Sequence, residues 1–468
     1  MSLSPKPGSW GDVLAEGRGP RFVLICLGVW LQAADSMVTS TIMPSVGRGL
    51  GGFEWFGWAT AGYLLGSVLA GASSGLLAQR FGLRRATAWA AVVYAAGCVV
   101  SALAPDMLSF LIGRGLQGIG GGWVAGFCAV AIGLMFPDRL LPKVYAATTG
   151  VWGIATLVGP LLGGLFADTG PEGWRGVFWC FAIQAGLVAL TSLRLLPVAE
   201  KGDSGTKIAW WQLAVVGLAV TLIGVADRTG SVGGMIGLTL TGLAALIIMV
   251  WRDGKAKVQL LPRAASQPTS VPGAVYLAMF LMTASSMAYG VYAPAILQTL
   301  KGYSALMAGY VVAVEALAWT TAGLLVSGLT GLWPGRLMRL GGGLVVASLV
   351  LSAWVFPQPH LGLVLLSGTL LGAGFGFSWA FMGQALLSAL PTHERALGSA
   401  GVTTVRMTGS AIGATGAAAV ANLVGVGDAL TPQSASAAGF WVFAALTPVA
   451  LLALWPTWRL GQSRTDQI

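Results

Sequence analysis

Four ionisable side chains lie within stretches of the sequence that are otherwise apolar. They are two acids, Asp35 and Glu315, and two arginines, Arg114 and Arg406. A charge at the depth of a lipid bilayer is costly, so such a residue normally faces a partner or a water-filled cavity. A carboxyl group in that position can take up and release protons. The four residues therefore indicate a polar path through the middle of a membrane protein.

The elements that carry these residues are long apolar runs. Of the 468 residues, 56% are hydrophobic and 9% are charged, with a mean hydropathy of +0.78, which excludes a water-soluble globular protein. Many runs match the ~20 residues needed to cross hydrocarbon. We place fourteen of them, at 22–43, 55–78, 86–104, 107–135, 144–167, 177–196, 208–226, 232–251, 273–299, 303–329, 340–356, 361–390, 397–426 and 437–458. Only helices suit such runs, so we predict an all-α integral membrane protein.

Lysine and arginine are distributed unevenly between the two sides of this predicted bundle. The chain has 26 such residues, and two of them, Arg114 and Arg406, lie within helices. If the N-terminus is cytoplasmic, twenty of the other 24 fall on the cytoplasmic side. The exceptions are Arg48, Arg175, Arg228 and Lys301. This bias predicts a multi-pass protein of the cytoplasmic (inner) membrane with both termini in the cytoplasm.

One apolar run has an unusual composition for a helix. The segment Thr156-Leu-Val-Gly-Pro-Leu-Leu-Gly-Gly164 holds a proline and three glycines, which weaken helices in water. In lipid, small residues let helices approach each other closely, and proline kinks a helix. The segment therefore indicates a place of close helix packing.

Several local patterns resemble signatures of the major facilitator superfamily. The segment Gly75-Leu-Leu-Ala-Gln-Arg-Phe-Gly-Leu-Arg-Arg85 is similar to the loop between its second and third helices. Arg114-Gly-Leu-Gln-Gly-Ile-Gly-Gly121 resembles the Arg-x-x-Gln-Gly-x-Gly stretch of its exporters. The residues Gly159, Pro160, Gly163 and Gly164 match the Gly-Pro-x-x-Gly-Gly signature of drug:proton antiporters.

Three more segments resemble the fourteen-helix branch of that superfamily. They are Ala34-Asp-Ser-Met-Val-Thr-Ser-Thr-Ile-Met-Pro44, Trp58-Ala-Thr-Ala-Gly-Tyr63 and Arg406-Met-Thr-Gly-Ser-Ala-Ile-Gly413. All the matches follow the expected order, from residue 34 to about 413. The chain is therefore identified as a member of the fourteen-helix drug:proton antiporter family.

The resemblance implies a fold of two six-helix bundles with two extra transmembrane helices inserted between them. The expected regions are a cytoplasmic tail (1–20), an N-terminal bundle (21–197), an inserted hairpin with its linkers (198–271), a C-terminal bundle (272–459) and a second tail (460–468). We expect a monomer that contacts membrane lipids and binds no nucleic acid. We expect no cofactor or metal, and no enzymatic activity.

The function implied by the resemblance is proton-coupled export of lipophilic or cationic small molecules by alternating access. The chain has no Gly-x-x-x-x-Gly-Lys-Ser/Thr loop, which argues against an ATP-driven pump. Two alternatives stay open: a dedicated exporter or flippase of a native metabolite, lipid or siderophore, and a non-transporting sensor or scaffold. An importer of the same fold is disfavoured by the segment at Gly159–Gly164.

The expected proton-coupling residues are Asp35, Arg114, Glu315 and Arg406. Asp35 is also a candidate for binding a cationic substrate, and a structural role remains open for it, with a hydrogen bond to Thr39 or an ion pair with an arginine. Glu315 precedes Trp319 by one helical turn, which suits a lipophilic cation, but a structural role is equally compatible. Further candidates for substrate binding are Trp30, Tyr63, Gln117, Tyr289, Tyr292, Trp379 and Gln384, although tryptophans also serve as packing or interfacial anchors.

Other residues are expected to control the conformational change. In the loop after the second helix these are Gly75, Gln79, Arg80, Gly82 and Arg84. Gln79 stands where the family has an aspartate that braces the loop against the other half, and a glutamine cannot form that ion pair. The resemblance further implies that Gly159, Pro160, Gly163 and Gly164 pack their helix against the other half and seal the cavity, with generic close packing as the alternative.

Overall fold

The chain folds into a bundle of helices. The structure is a computed structural model that describes residues 9–197, 207–229 and 231–462. Within these ranges the α-helices are α1 (Trp10–Leu14), α2 (Arg18–Leu50), α3 (Phe56–Gly71), α4 (Ser74–Phe81), α5 (Leu83–Leu103), α6 (Met107–Met135), α7 (Leu141–Ala167), α8 (Arg175–Leu195), α9 (Trp210–Gly224), α10 (Val232–Asp253), α11 (Val271–Lys301), α12 (Ala305–Val326), α13 (Trp333–Val355), α14 (Leu361–Ala389), α15 (Arg395–Leu423) and α16 (Pro432–Gln462). The same ranges contain no β-strand.

Each of the fourteen predicted apolar runs falls on one of these helices, or on the pair α3 and α4. In the described part of the chain, eleven helices are long and apolar enough to cross a membrane. The pair α3 and α4, bent by 51°, makes a twelfth span if it is counted as one. Helix α9 has 15 residues, or about 22 Å, which is short for a span of ~30 Å. Helix α15 contains Arg406 among many glycines and threonines and is not among the twelve. The count of fourteen spans therefore stays a prediction.

The helices pack into two groups that meet along a seam. In the first group, α6 packs on α3 and α5, and α2 packs on α7. In the second group, α14 packs on α12 and α13, and α16 packs on α11 and α13. Contacts between the groups run from α3 to α15, from α7 to α12, and from α2 to α11 and α12. We call the first group (α2–α8) the N-half and the second (α11–α16) the C-half.

The inserted hairpin of α9 and α10 lies along this seam. Helix α9 packs on both α15 and α3, and thus on both halves. After α10, the linker back to the C-half begins at Asp253, which is 1% exposed. Its carboxylate accepts hydrogen bonds from the Gln212 side-chain amide and from the backbone N–H groups of Leu260 and Leu261, at 2.8, 2.9 and 2.9 Å. Asp253 therefore ties both ends of the hairpin to the linker.

We expect Asp253→Ala to loosen this attachment. The backbone N–H groups of Leu260 and Leu261 lose their acceptor, and Gln212 keeps only its bond to the Val258 carbonyl, which lowers the free energy of unfolding by about 2–3 kcal/mol. The melting temperature of the purified protein in detergent measures the loss. Asp428→Ala, at an exposed loop position, is the matched control and should leave the melting temperature unchanged. Equal melting temperatures for the two variants would contradict the anchoring role.

Candidate functional site

A buried ion pair joins α2 and α6 in the interior of the N-half. Nη1 of Arg114 donates to both carboxylate oxygens of Asp35, at 2.8 and 2.9 Å. Asp35 is 0% exposed and Arg114 is 2% exposed. The two residues are 79 positions apart in the sequence, and the crossing of α2 and α6 brings them together. Each residue cancels the charge of the other at membrane depth, where a single charge would be costly.

The remaining groups around this pair hold the guanidinium in place. Nε of Arg114 donates to the carbonyl of Ala59 at 3.1 Å, and Nη1 also donates to the side-chain oxygen of Gln117. The Gln117 amide in turn donates to Ser101 at 3.2 Å. The ring of Tyr63 lies 4.7 Å from the guanidinium carbon, in a cation–π contact. Of the predicted residues, the structure thus brings Asp35, Arg114, Tyr63 and Gln117 together.

The glycine and proline residues of α7 make close contacts on two sides. A β-carbon added at Gly159 would lie 2.5 Å from Cβ of Met37 in α2. One added at Gly164 would lie 2.5 Å from Cβ of Leu306 in α12, which belongs to the other half. Pro160 is similarly close to Gly309 of α12. The segment therefore lets α7 approach α2 within its own half and α12 across the seam.

Hydrogen bonds join the halves at the same end of the molecule. The Gln298 amide of α11 donates to the carbonyl of Thr41 in α2 at 3.2 Å. The backbone N–H of Ala305 donates to Asp168 at 3.4 Å. We call this the closed end. It contains the C-terminal ends of α2, α7, α11 and α15 and the N-terminal ends of α3 and α12.

At the opposite end, which we call the open end, α7 stands away from the C-half. Gly153 precedes Gly164 by eleven residues, or three helical turns, so both glycines lie on the same face of α7. A β-carbon added at Gly153 would meet no atom within 4 Å, and the same is true of Gly150. The face of α7 that contacts α12 at the closed end is therefore uncovered at the open end. We infer that the two halves stand apart toward this end and leave a chamber between them.

The conformational residues predicted in the loop after the second span lie at the open end, where Gly75, Gln79 and Arg80 belong to α4 and Arg84 belongs to α5. Gly82 joins α4 to α5 with a φ of +79°, a backbone conformation that favours glycine. Gln79 and Arg80 are exposed, Arg84 is half-buried, and Gly75 has open space around it. The structure thus places Gln79 in solvent, away from the C-half.

A cluster of aromatic rings lies between α12 and α14 in the C-half. The Trp319 ring stacks on Phe375 with centroids 4.6 Å apart, and Trp379 lies 5.6 Å from Trp319. Glu315 lies one turn before Trp319 on α12. The backbones of the two helices touch here, since a β-carbon at Gly372 would collide with the Glu315 carbonyl. The structure thus brings Glu315, Trp319 and Trp379 together, as well as Phe375, which we did not predict.

Two charges of the C-half remain without partners. Among the described residues, neither Glu315 nor Arg406 forms an ion pair or a hydrogen bond through its side chain. Both side chains are partly accessible although both lie deep among protein atoms, which is the situation of groups that line a chamber. The two halves therefore differ, because the N-half charges are paired and the C-half charges are not.

The other predicted binding residues are dispersed. Tyr289 and Tyr292 of α11 are each 1% exposed, with hydroxyl groups that find no partner in the described part of the chain. Tyr289 packs edge-on to Phe356 inside the C-half. Gln384 is exposed on α14, and Trp30 is half-buried on α2.

Tyr292 instead lies at the seam, with its ring 5.7 Å from Phe56 of α3. It therefore closes the chamber at the closed end, together with the contact of Gly57 on Ala414 and Ala418.

The loop of the inserted hairpin also contacts both halves at the closed end. Trp58 of α3 donates to the carbonyl of Gly224 at 3.0 Å. Asn422 of α15 donates to Asp227 of the loop at 2.6 Å and to the carbonyl of Glu54 at 2.9 Å. Asn422 therefore connects the hairpin, the N-half and the C-half. No local pattern in the sequence indicates this role, because single polar residues near helix ends are ordinary loop features.

The described residues hold no group of three or more His, Cys, Asp or Glu side chains placed to bind a metal ion.

Comparisons with known proteins agree with this architecture. A sequence profile of the Major Facilitator Superfamily matches residues 25–414. A Mycobacterium tuberculosis protein named a probable multidrug-efflux transporter is 30% identical over 446 residues, covering 90% of this chain and 91% of that protein. An efflux pump of Aspergillus parasiticus is 26% identical, covering 83% of this chain and 78% of its own length.

Solved structures show the same fold. A bacterial homologue of the human lysosomal transporter Spinster, in an inward-facing conformation, matches with a TM-score of 0.69 and 14% identity, covering 98% of this chain and 99% of its own. A D-xylose–proton symporter matches with a TM-score of 0.64 and 18% identity, covering 93% of this chain and 97% of its own. These similarities confirm the fold class predicted from the sequence.

We expect Gly164→Leu to separate the two halves at the closed end, because even a β-carbon at this position would crowd Leu306. Spin labels at Leu165 and Met307, both exposed beside the contact, measure the separation. The distance distribution should gain a longer component. Gly153→Leu, on the same face of α7 but in open space, is the matched control and should leave the distribution unchanged. An unaltered distribution for Gly164→Leu would show that the contact does not hold the end closed.

Proposed function

The chain belongs to the Major Facilitator Superfamily, and we propose that it is a proton-coupled antiporter that exports lipophilic or cationic small molecules across the cytoplasmic membrane. In this proposal the chamber alternates between the two sides of the membrane, and Asp35 carries the proton. The proposal depends on one observation: the same helix, α2, carries the buried carboxylate and the contacts that close one end of the chamber.

Helix α2 carries both the buried carboxylate and the residues that close the chamber. Asp35 precedes Met37, which contacts Gly159, by two residues. It precedes Thr41, which accepts from Gln298, by six residues, or about 9 Å along the helix. A change at Asp35 therefore acts directly on the helix that packs against α7 and α11 at the closed end.

Protonation of Asp35 removes the charge that holds Arg114. The neutral acid no longer balances the guanidinium, so the ion pair loses its electrostatic stabilisation. Arg114 retains its contacts with Gln117 and the Ala59 carbonyl, while α2 is released from α6. Loss of the proton restores the pair. We infer that one proton bound from outside and released inside accompanies each transport cycle.

The distribution of charge supports the proposed direction of transport. Arg80, Arg84 and Arg139 lie at the open end, together with most other basic residues of the loops. The bias of lysine and arginine toward cytoplasmic loops assigns this end to the cytoplasm. In that orientation the described conformation receives substrate from inside the cell, as an exporter must.

The substrate class rests on two kinds of support. The Mycobacterium tuberculosis relative carries the name of a multidrug-efflux transporter. In this chain, Glu315 and the rings of Trp319, Phe375 and Trp379 provide a negative charge beside a polarizable apolar surface. Such a combination suits large, lipophilic cations.

We expect Asp35→Asn to abolish the response to a proton gradient. The purified protein in proteoliposomes, with ethidium as the fluorescent cation and an imposed pH gradient, measures this response. Gradient-driven transport should fall by at least about fivefold, because coupling between two ligands is typically worth five- to 150-fold. Asp35→Glu, which keeps a titratable group, should retain part of the response.

Asp35→Asn alone leaves a buried arginine unpaired and can reduce stability. The double variant Asp35→Asn/Arg114→Gln removes both charges, and it should fold and remain insensitive to the gradient. Gradient-driven accumulation by either variant would rule out Asp35 as the coupling group. Ethidium transport by the unaltered protein at the same rate with and without the gradient would overturn proton coupling itself. A protein that moves no ethidium under any condition would instead favour a dedicated exporter of one native compound.

A further inference from the structure

The charges of the chamber identify a substrate class narrower than lipophilic cations. The N-half pair, Asp35 and Arg114, is neutral as a unit and covered on all sides. The charges left to face the chamber are Glu315 and Arg406, one acid and one base, neither of which has a partner among the described side chains. A binding site with only an acid would suit a cation, but this chamber presents both signs.

The two unpaired groups lie at a similar depth. Glu315 follows Leu306, the α12 residue of the closed-end contact, by nine residues, or about 13 Å along the helix. Arg406 precedes Ala414, the α15 residue that contacts Gly57, by eight residues, or about 12 Å. Both groups thus lie between two and three helical turns inside the seal, on different helices of the same half.

Unpaired charges at this depth are unfavourable in the empty protein and become favourable when a ligand supplies the counter-charges. A ligand with only a positive charge would be attracted by Glu315 and repelled by Arg406. A ligand with only a negative charge would be attracted by Arg406 and repelled by Glu315. A molecule that carries both a basic and an acidic group satisfies both residues. The ring cluster of Trp319, Phe375 and Trp379 adds a stacking surface beside the acid.

We propose that Glu315 and Arg406 are the two poles of a site for amphoteric, aromatic substrates. The carboxylate of Glu315 binds the basic group, the guanidinium of Arg406 binds the acidic group, and the rings of α12 and α14 hold the apolar skeleton. This inference rests on the proposed transport function and specifies its substrate, while the proton remains with Asp35.

A matched set of dyes tests the proposal by direct binding. Rhodamine B carries a cationic ring system and a free carboxylate, and its ethyl ester keeps the rings and the cation but lacks the carboxylate. Fluorescence polarisation of each dye with the purified full-length protein in detergent gives the two dissociation constants. The unaltered protein should bind rhodamine B about tenfold more tightly than the ester, the contribution of one charge-assisted contact.

Variants of the two poles should change this ratio differently. Arg406→Gln should weaken rhodamine B about tenfold and leave the ester unchanged or bound more tightly, so the preference disappears. Glu315→Gln should weaken both dyes, since both carry the cation. Arg406→Lys, which keeps the charge, should retain the preference. Arg252→Gln removes an exposed charge at the end of α10 and is the matched control, with no expected effect.

Three results would overturn the proposal: a preference for the ester in the unaltered protein, an unchanged ratio in Arg406→Gln, or loss of the preference in Arg406→Lys. The melting temperature of each variant is measured in parallel. If Arg406→Gln does not fold, the ratio of the two dissociation constants in Glu315→Gln and in Arg406→Lys still tests the proposal. The binding measurement uses no pH gradient, so it can fail while Asp35-dependent coupling holds, and it can succeed while that coupling fails.

Discussion

Asp35 and Arg114 form an ion pair where bulk water cannot solvate either group, and the arrangement of the N-half follows from that constraint. The guanidinium must be satisfied by protein atoms, and it finds the carboxylate on α2, the Ala59 carbonyl on α3 and the Gln117 amide on its own helix. These contacts fix the relative positions of α2, α3 and α6. Helix α2 is held to this unit through its carboxylate, so it can shift against α3 and α6 only when the ion pair breaks. An ion pair of this kind is either formed or broken, so the helices that it joins are suited to two discrete arrangements rather than a continuous range of positions.

The C-half handles its charges in the opposite way. Glu315 and Arg406 lie at membrane depth without mutual contact, and no described side chain neutralises either of them. The N-half could tolerate its charges by pairing them within one bundle, whereas the C-half charges require a ligand, water or a conformational change. This asymmetry gives the two halves different tasks in our proposal. The paired charges respond to protons, and the unpaired charges recognise the substrate.

The sequence was sufficient for the family, the fold class and the positions of the apolar runs, because these depend on long-range composition and on local motifs. It also identified Asp35 and Arg114, since a charge in an apolar run is conspicuous. An ion pair with an arginine was one of two structural alternatives for Asp35. The sequence could not decide between them, because only the crossing of α2 and α6 brings together residues 79 positions apart.

Other features had no local signal. Phe375 is one of 17 phenylalanines and is distinguished only by its stacking on Trp319. Asn422 was indistinguishable from any polar residue near a helix end. Tyr289 was expected as a candidate for substrate binding, and only the structure shows that its ring packs inside the C-half against Phe356. Periodicity and motifs specify which residues are unusual, and helix crossings decide which of these meet.

The inserted hairpin gives the closed end a second set of contacts. Through Trp58 it holds α3 of the N-half, and through Asn422 it holds α15 of the C-half. If the closed end opens, these two helices separate, and the loop at Asp227 cannot follow both of them. At the open end the hairpin is tied instead to its own linker by Asp253, and Leu261 of that linker packs on Gly401 of α15. The hairpin is therefore attached most firmly to the C-half, and the contacts that must break are those with the N-half, at Trp58, Glu54 and Trp55. In the proposed transport cycle, the extra helix pair therefore stabilises the described conformation and biases the alternation of the chamber toward that state in the absence of a proton or substrate.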